Sequence, residues 1–160
     1  MIYSLENNFV FIHCPRTSGT AIRKSLRILV PDAVEISGGM KHSPITDLPF
    51  QLRELRSFTV WRSPGDIRRS YYRHIVNWYR NAGDHEPSTK WLAEHAVRVA
   101  SMTEAEYMES REPPLNTDGY SSGVGTVFRF DLRPYREIAS FCGVDKSDFE
   151  SLMGVFRDKR

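Results

Sequence analysis

Blocks of apolar residues along the chain differ in their spacing, and the spacing predicts strands that alternate with helices. Phe9 to Ile12 is an unbroken run of aromatic and β-branched residues, typical of a strand buried on both faces. The segment after the polar residues 13–20 is amphipathic, because Ile22, Leu26 and Leu29 recur on one helical face. This part of the chain therefore predicts a strand, a tight loop and a helix.

The same alternation continues to the end of the chain. A long helix that starts near Pro64 is predicted to bury a face carrying Ile67, Tyr71, Ile75 and Trp78. Strands alternating with helices indicate an α/β domain with a mainly parallel sheet. Further strands are predicted at 33–36, 57–61 and 126–130, and further helices at 50–56, 88–100, from 103, at 132–142 and from 147.

Local signals mark three helix boundaries. Thr103 with Glu106, and Ser147 with Glu150, have the spacing of a capping box, which predicts a helix start at each pair. Gly143 is predicted to end the helix before it.

Composition favours one globular domain over residues 1–160, with 40% hydrophobic and 12% aromatic residues. The net charge of +2 is too small to indicate a nucleic-acid partner. No apolar run approaches the ~20 residues that span a bilayer, and the N-terminus lacks the pattern of a signal peptide. We therefore expect a cytoplasmic protein without a membrane span. Cys14 and Cys142 lie far apart, without metal-ligand spacing, and are expected to be free thiols.

Three loops are predicted to meet where parallel strands end, which is the edge at which open α/β sheets bind ligands. They cover residues 13–20, 37–44 and 62–66. Arginine, which matches phosphate and sulfate bidentately, makes up 17 of the 22 basic residues, although a bias in codon usage explains that excess equally well. The loops contain candidate anion-binding residues, namely Arg16, Thr17, Ser18, Thr20, His42 and Arg62.

The loop from Pro15 to Thr20 suits a phosphate cradle. Gly19 permits close approach of the backbone, the neighbouring hydroxyl groups can donate, and Arg16 adds charge. It is not a Walker A loop, because GxxxxGK[ST] is absent. Cys14 suggests a cysteine phosphatase, but the arginine of a Cys-x5-Arg loop is replaced by Thr20. Cys14 is therefore interpreted as a small residue that fills space at the strand end.

Two stretches together resemble the sulfotransferases that use 3′-phosphoadenosine 5′-phosphosulfate (PAPS). In that family a strand runs into a loop like PKxGxT, and a later strand runs into R-x-P-x5-S-x-Y. The segment Pro15-Arg-Thr-Ser-Gly-Thr20 is similar to the first motif. Arg62, Pro64, Ser70 and Tyr72 fit the second. The resemblance extends more loosely to residues 127–132 and is closest to the members that act on carbohydrate and similar hydroxyl groups.

The resemblance implies a fold and a set of roles. It implies a three-layer α/β sandwich like that of P-loop NTPases. It also implies a sulfuryl transfer to a hydroxyl or amine of a small-molecule or carbohydrate acceptor, without a metal. Arg62 and Ser70 would hold the 3′-phosphate of the donor. The 5′-phosphosulfate would be held by Pro15, Arg16, Thr17, Ser18, Gly19, Thr20 and Ala21.

Two residues are expected to act in catalysis. Arg16 stands where the family usually has a lysine; it cannot donate a proton, but its charge can stabilise the departing phosphate. His42 is the candidate base for the acceptor hydroxyl, and a role in capping a turn is the alternative. His13 is expected to orient the loop.

Two other functions fit the sequence. A catalytically inactive relative would bind the nucleotide without transferring sulfate. A small phosphotransferase or kinase would turn over ATP with magnesium. The sequence leaves the acceptor and the oligomeric state open.

Overall fold

The structure, a computed structural model, describes residues 1–36, 44–81, 90–110, 124–130 and 133–158. Its contacts divide the chain into two compact units. The first unit is Met1–Arg62 with Thr117–Arg160, and the second unit is Ser63–Asn116. A single domain over residues 1–160 stays a prediction.

A five-stranded mixed sheet lies in the first unit. Its order is β3-β1-β2-β4-β5, with β2–β4 and β4–β5 parallel and β1 antiparallel to both neighbours. The α/β class is confirmed, but the sheet is mixed because β1, which the sequence pattern did not predict, runs against the other strands. The strands are β1 (Ile2–Ser4), β2 (Phe9–Ile12), β3 (Val34–Glu35), β4 (Arg56–Trp61) and β5 (Thr126–Arg129).

Helices alternate with the strands along the chain, as the pattern predicted. In the described ranges they are α1 (Gly19–Leu29), α2 (Pro64–Asn81), α3 (Lys90–Ala100), α4 (Glu104–Glu109), α5 (Tyr135–Cys142) and α6 (Lys146–Asp158). No helix in these ranges is long and apolar enough to cross a membrane.

The central strand β2 buries all four of its side chains, and successive residues enter different clusters. Phe9 and Phe11 pack with α1, α5 and α6, and the ring of Phe11 stacks on that of Phe58 at 4.9 Å. Val10 and Ile12 pack on the other face, against Leu48. Two short 3₁₀ turns, Ile45–Asp47 and Phe50–Leu52, flank Leu48. A three-layer arrangement stays a prediction.

Two predictions of helix extent are wrong for local reasons. The segment 50–56 forms only the 3₁₀ turn, because Arg56 already pairs with Phe9 as the first residue of β4. Helix α5 begins at Tyr135 and not at 132, since Arg133 has a φ of 48° that a right-handed helix excludes. The C-terminal end of α5 is as predicted, with Gly143 left-handed at φ 70°.

Helix α6 is capped differently from the prediction. The side chain of Asp145 accepts the N–H groups of Ser147 and Asp148 at 2.8 and 3.0 Å. Ser147 therefore lies inside the helix, and Glu150 instead pairs with Arg136 at 3.1 Å. Asp145, two residues before Ser147, caps the helix in place of the predicted Ser–Glu pair because its carboxylate reaches N–H groups of the first turn that lack an intrahelical acceptor.

The second unit contains α2, α3 and α4 around a small aromatic core. Ile75, Ala96, Val99 and Tyr107 are buried there. The hydroxyl of Tyr72 donates to the Met102 carbonyl at 2.7 Å. The predicted capping box at Thr103 and Glu106 is confirmed, with both reciprocal bonds present.

Candidate functional site

The carboxyl ends of β2 and β4 lie side by side in the first unit. Ile12, the last residue of β2, is paired with Thr59, and the Thr59 hydroxyl donates to the Ile12 carbonyl at 2.8 Å. The strands are parallel, so the loop after Ile12 and the residue Arg62 after β4 emerge at the same edge of the sheet.

The loop between β2 and α1 has an unusual backbone. Arg16 and Ser18 are left-handed, with φ of 65° and 61°, and Thr17 lies between them. Left-handed residues that alternate with other conformations turn successive N–H groups toward one side, which makes a concavity that attracts anions. Nothing in the sequence indicates a positive φ at Arg16, because arginine has no preference for it.

The N-terminus of α1 adds to this loop. Ser18 precedes the helix without a side-chain cap, and the first turn contains no acidic residue. The N–H groups of Ala21 and Ile22 bond to the Ser18 carbonyl. The first N–H groups of any helix lack an intrahelical acceptor and carry the positive end of its dipole. The loop and the start of α1 together are therefore suited to an anion.

His13 and Gly19 explain how this loop is held. The His13 ring is 2% exposed and stacks on Phe11, with 5.9 Å between ring centroids. The edge of the ring that carries Cδ2 and Nε2 lies against Gly19, where an added side chain would overlap it. The expected role of His13 in orienting the loop agrees with this packing. The glycine is needed for space and not for its φ.

Two residues of the loop point inward. The Cys14 side chain is buried, and burial raises the pKa of its thiol to about 12. A thiol that stays protonated is a poor nucleophile, in line with its interpretation as a filler. The Thr17 side chain is fully buried and its hydroxyl donates to the Cys14 carbonyl at 2.8 Å. Thr17 can therefore offer a ligand its backbone N–H, and not the hydroxyl donor that the sequence suggested.

Arg62, the first residue of the second sequence motif, contacts the first motif within the first unit. Its Nη1 donates to the Arg16 carbonyl at 3.4 Å. Its guanidinium carbon lies 5.0 Å from the centre of the Phe130 ring. Phe130 directly follows β5, and the sequence alone gave no reason to place it at the site. Knowing that β4 and β5 pair in parallel would have indicated it, because Trp61 is paired with Arg129 and Arg62 and Phe130 directly follow them.

The remaining predicted site residues fall in different places. Pro15 and Ala21 are buried, and Ser18 and Thr20 are half-buried. Ser70 lies on α2 in the second unit, where it is half-buried. His42 lies outside the described residues, so its role as a base stays a prediction.

Three arginines of α2 have partners inside the second unit. Arg68 donates from Nη2 to the carbonyls of Tyr107 and Ser110, at 2.7 and 2.6 Å. Arg69 and Arg73 both pair with Glu104, at 3.0 and 2.9 Å. These contacts hold α4 to α2. Arg69 and Arg73 are exposed, whereas Arg68 is half-buried.

In the part of the chain that the structure describes, no group of three or more His, Cys, Asp or Glu residues is arranged to hold a metal ion. Comparisons of the chain with protein-family models, with curated proteins and with solved structures gave no match.

Proposed function

We propose that the chain is a sulfotransferase that takes its sulfuryl group from PAPS. The observation that carries the proposal is the 3.4 Å bond from Arg62 Nη1 to the Arg16 carbonyl. It joins the residue that begins one motif of the family to the second residue of the other. Arg16 and Arg62 are 46 residues apart in the sequence, so their contact within the first unit supports a common ligand with two anionic groups.

The residues of the first unit suit the donor. The left-handed loop and the start of α1 offer backbone N–H groups for the 5′-phosphosulfate. A guanidinium has five N–H donors, so the bond from Arg62 to a carbonyl is compatible with a further bond to the 3′-phosphate. Ser70 is proposed as a second ligand of that phosphate on the strength of the sequence motif alone.

PAPS supplies an activated sulfuryl group when bound, and the chain's own residues supply position and charge. Arg16, half-buried in the loop, places a permanent positive charge beside the leaving phosphate. That phosphate is a weak base and can leave without being protonated, so the positive charge of Arg16 is sufficient to stabilise it. We propose His42 as the base that accepts the acceptor's hydroxyl proton. A small-molecule or carbohydrate acceptor is proposed.

The fold part of the proposal is a sheet of the P-loop NTPase kind. The parallel β2, β4 and β5 and the loop between β2 and α1 support it. The antiparallel strand β1 departs from an all-parallel sheet. It pairs with β2 on the side opposite β4, so β2 and β4 remain neighbours and the loop after β2 still lies beside the end of β4.

Sulfur-labelled PAPS tests the proposal. Wild-type protein is incubated with the label and a panel of phenolic, sugar and amine acceptors, with EDTA present to remove divalent metals. The proposal predicts a labelled acceptor and release of adenosine 3′,5′-bisphosphate, both reduced by Arg16→Ala. Binding of PAPS without transfer to any member of the panel would favour the inactive relative. Magnesium-dependent turnover of ATP would favour the phosphotransferase.

A further inference from the structure

The guanidinium of Arg62 is held between two groups in the first unit. On one side it lies over the ring of Phe130, with 5.0 Å from its central carbon to the ring centre. At Nη1 it donates to the Arg16 carbonyl. The register of the sheet is compatible with the first contact, because β4 and β5 end at the paired residues Trp61 and Arg129, and Arg62 and Phe130 directly follow them.

A ring beneath an arginine restricts what its long side chain can do. The face of the ring attracts the cation and leaves the N–H donors, which lie in the guanidinium plane, directed sideways. An arginine that is already oriented loses less conformational freedom when it binds a phosphate, and the affinity rises accordingly. The Arg16 carbonyl alone would fix one nitrogen without fixing the plane.

We propose that Phe130 is a positioning residue for the recognition of the 3′-phosphate, acting through Arg62. This inference rests on the proposed function. Phe130 would not touch the reacting atoms, and its effect would be confined to ligands that carry the 3′-phosphate. Adenosine 5′-monophosphate, which lacks that group, should bind equally well with and without the ring.

The chain offers a matched control two residues away. Phe128 lies on β5 itself and also packs against the core of the first unit. Its ring contacts Phe58 and Phe141, with 5.8 Å between centroids in each case. Phe128→Leu therefore removes a core ring and keeps the one beneath Arg62. Phe130→Leu and Phe130→Met both remove the ring beneath Arg62, and Phe130→Tyr keeps it.

The measurement is the ratio of the Kd for adenosine 5′-monophosphate to the Kd for adenosine 3′,5′-bisphosphate, by calorimetry on each folded variant. Both ligands are titrated into one preparation, so an inactive fraction affects them alike and cancels in the ratio. We expect the ratio to fall about two- to fivefold in Phe130→Leu and Phe130→Met, the size of a cation–π contact. It should stay at the wild-type value in Phe130→Tyr and Phe128→Leu.

Two results would overturn the inference in different ways. If wild type prefers the bisphosphate and Phe130→Leu keeps the full preference, the inference fails and the proposed function stands. If wild type itself shows no preference, the proposed function fails and the inference fails with it.

Discussion

The imidazole of His13 fills the space that a side chain at Gly19 would need. A Cβ placed on Gly19 would lie 1.8 Å from Cδ2 of His13, closer than any real contact. The His13 ring cannot easily withdraw, because it is buried and stacked on Phe11. The loop that leads into α1 is thus fixed by a glycine and a ring that fit only together.

Gly19→Ala should therefore destabilise the protein by about 1–3 kcal/mol, the usual cost of overpacking. The free energy of unfolding in urea measures this. The double variant Gly19→Ala, His13→Ala should lose less stability than the sum of the losses in the two single variants, because the ring that the new Cβ would overlap is then absent. If the losses in the two single variants simply add up in the double variant, the His13 ring is not what excludes a side chain at Gly19. Gly154→Ala is the control: its Cβ meets nothing within 4 Å, and alanine should stabilise α6 by up to about 1 kcal/mol.

The Cys14 thiol should be unreactive in the folded protein. Burial raises its pKa to about 12, so the thiolate that reacts with alkylating agents is scarce at neutral pH. Iodoacetamide should label Cys14 only after unfolding in urea, as peptide mapping would show. Cys14→Ala should keep its affinity for adenosine 3′,5′-bisphosphate. Rapid labelling of the native protein, together with lost binding in Cys14→Ala, would restore a role for this thiol.

Arg68 should matter for stability and not for the ligand. Its side chain holds the carbonyls of Tyr107 and Ser110 and lies over the Tyr107 ring, with the guanidinium carbon 4.8 Å from its centre. Arg68→Met keeps the aliphatic stem but removes these bonds, and we expect it to lose about 2 kcal/mol. Thermal or urea unfolding measures the loss.

Arg69→Met is the matched control for Arg68. Its ion pairs with Asp66 and Glu104 are exposed, so it should cost less than about 1 kcal/mol. Equal costs at the two positions would contradict the structural role of Arg68. A loss of affinity for the bisphosphate in folded Arg68→Met would instead point to a ligand contact.

Glu106 should make stability depend on pH in the acid range. Its pKa lies below the ordinary value because its carboxylate accepts the backbone N–H and then the hydroxyl of Thr103. The folded pKa is the lower one, so the stabilisation is full above the unfolded value of ~4.3 and is lost as the pH falls through the folded value. Wild type should be more stable than Glu106→Gln at neutral pH, and the difference should shrink in acid. A difference that is constant with pH would show that the charge is not involved.

The elements that the sequence predicted well are those with strong local patterns. Phe9 to Ile12 and the helix after it could be recognised because four consecutive buried residues and an amphipathic repeat each have few alternatives. Strand β1 was missed because three residues carry too little pattern, and its pairing with β2 is a tertiary contact. The cap of α6 was misassigned because two capping signals compete within one turn.

The candidate site divides in the same way. Residue types along the chain indicated the loop at 15–20 and Arg62, since their chemistry is visible in sequence. The positive φ of Arg16, the contact of His13 with Gly19 and the ring of Phe130 beneath Arg62 depend on how strands align, which a single sequence does not show.

The most direct test of the proposed function is calorimetry with adenosine 3′,5′-bisphosphate and adenosine 5′-monophosphate on wild type and Arg62→Ala. A charged contact to the 3′-phosphate contributes about 1.5–3 kcal/mol, so wild type should bind the bisphosphate at least about tenfold more tightly than the monophosphate. Arg62→Ala should lose most of that preference. Its affinity for the monophosphate should stay within about twofold of wild type, because the monophosphate has no 3′-phosphate for Arg62 to bind. Weak and equal binding of both nucleotides by wild type would contradict the proposal.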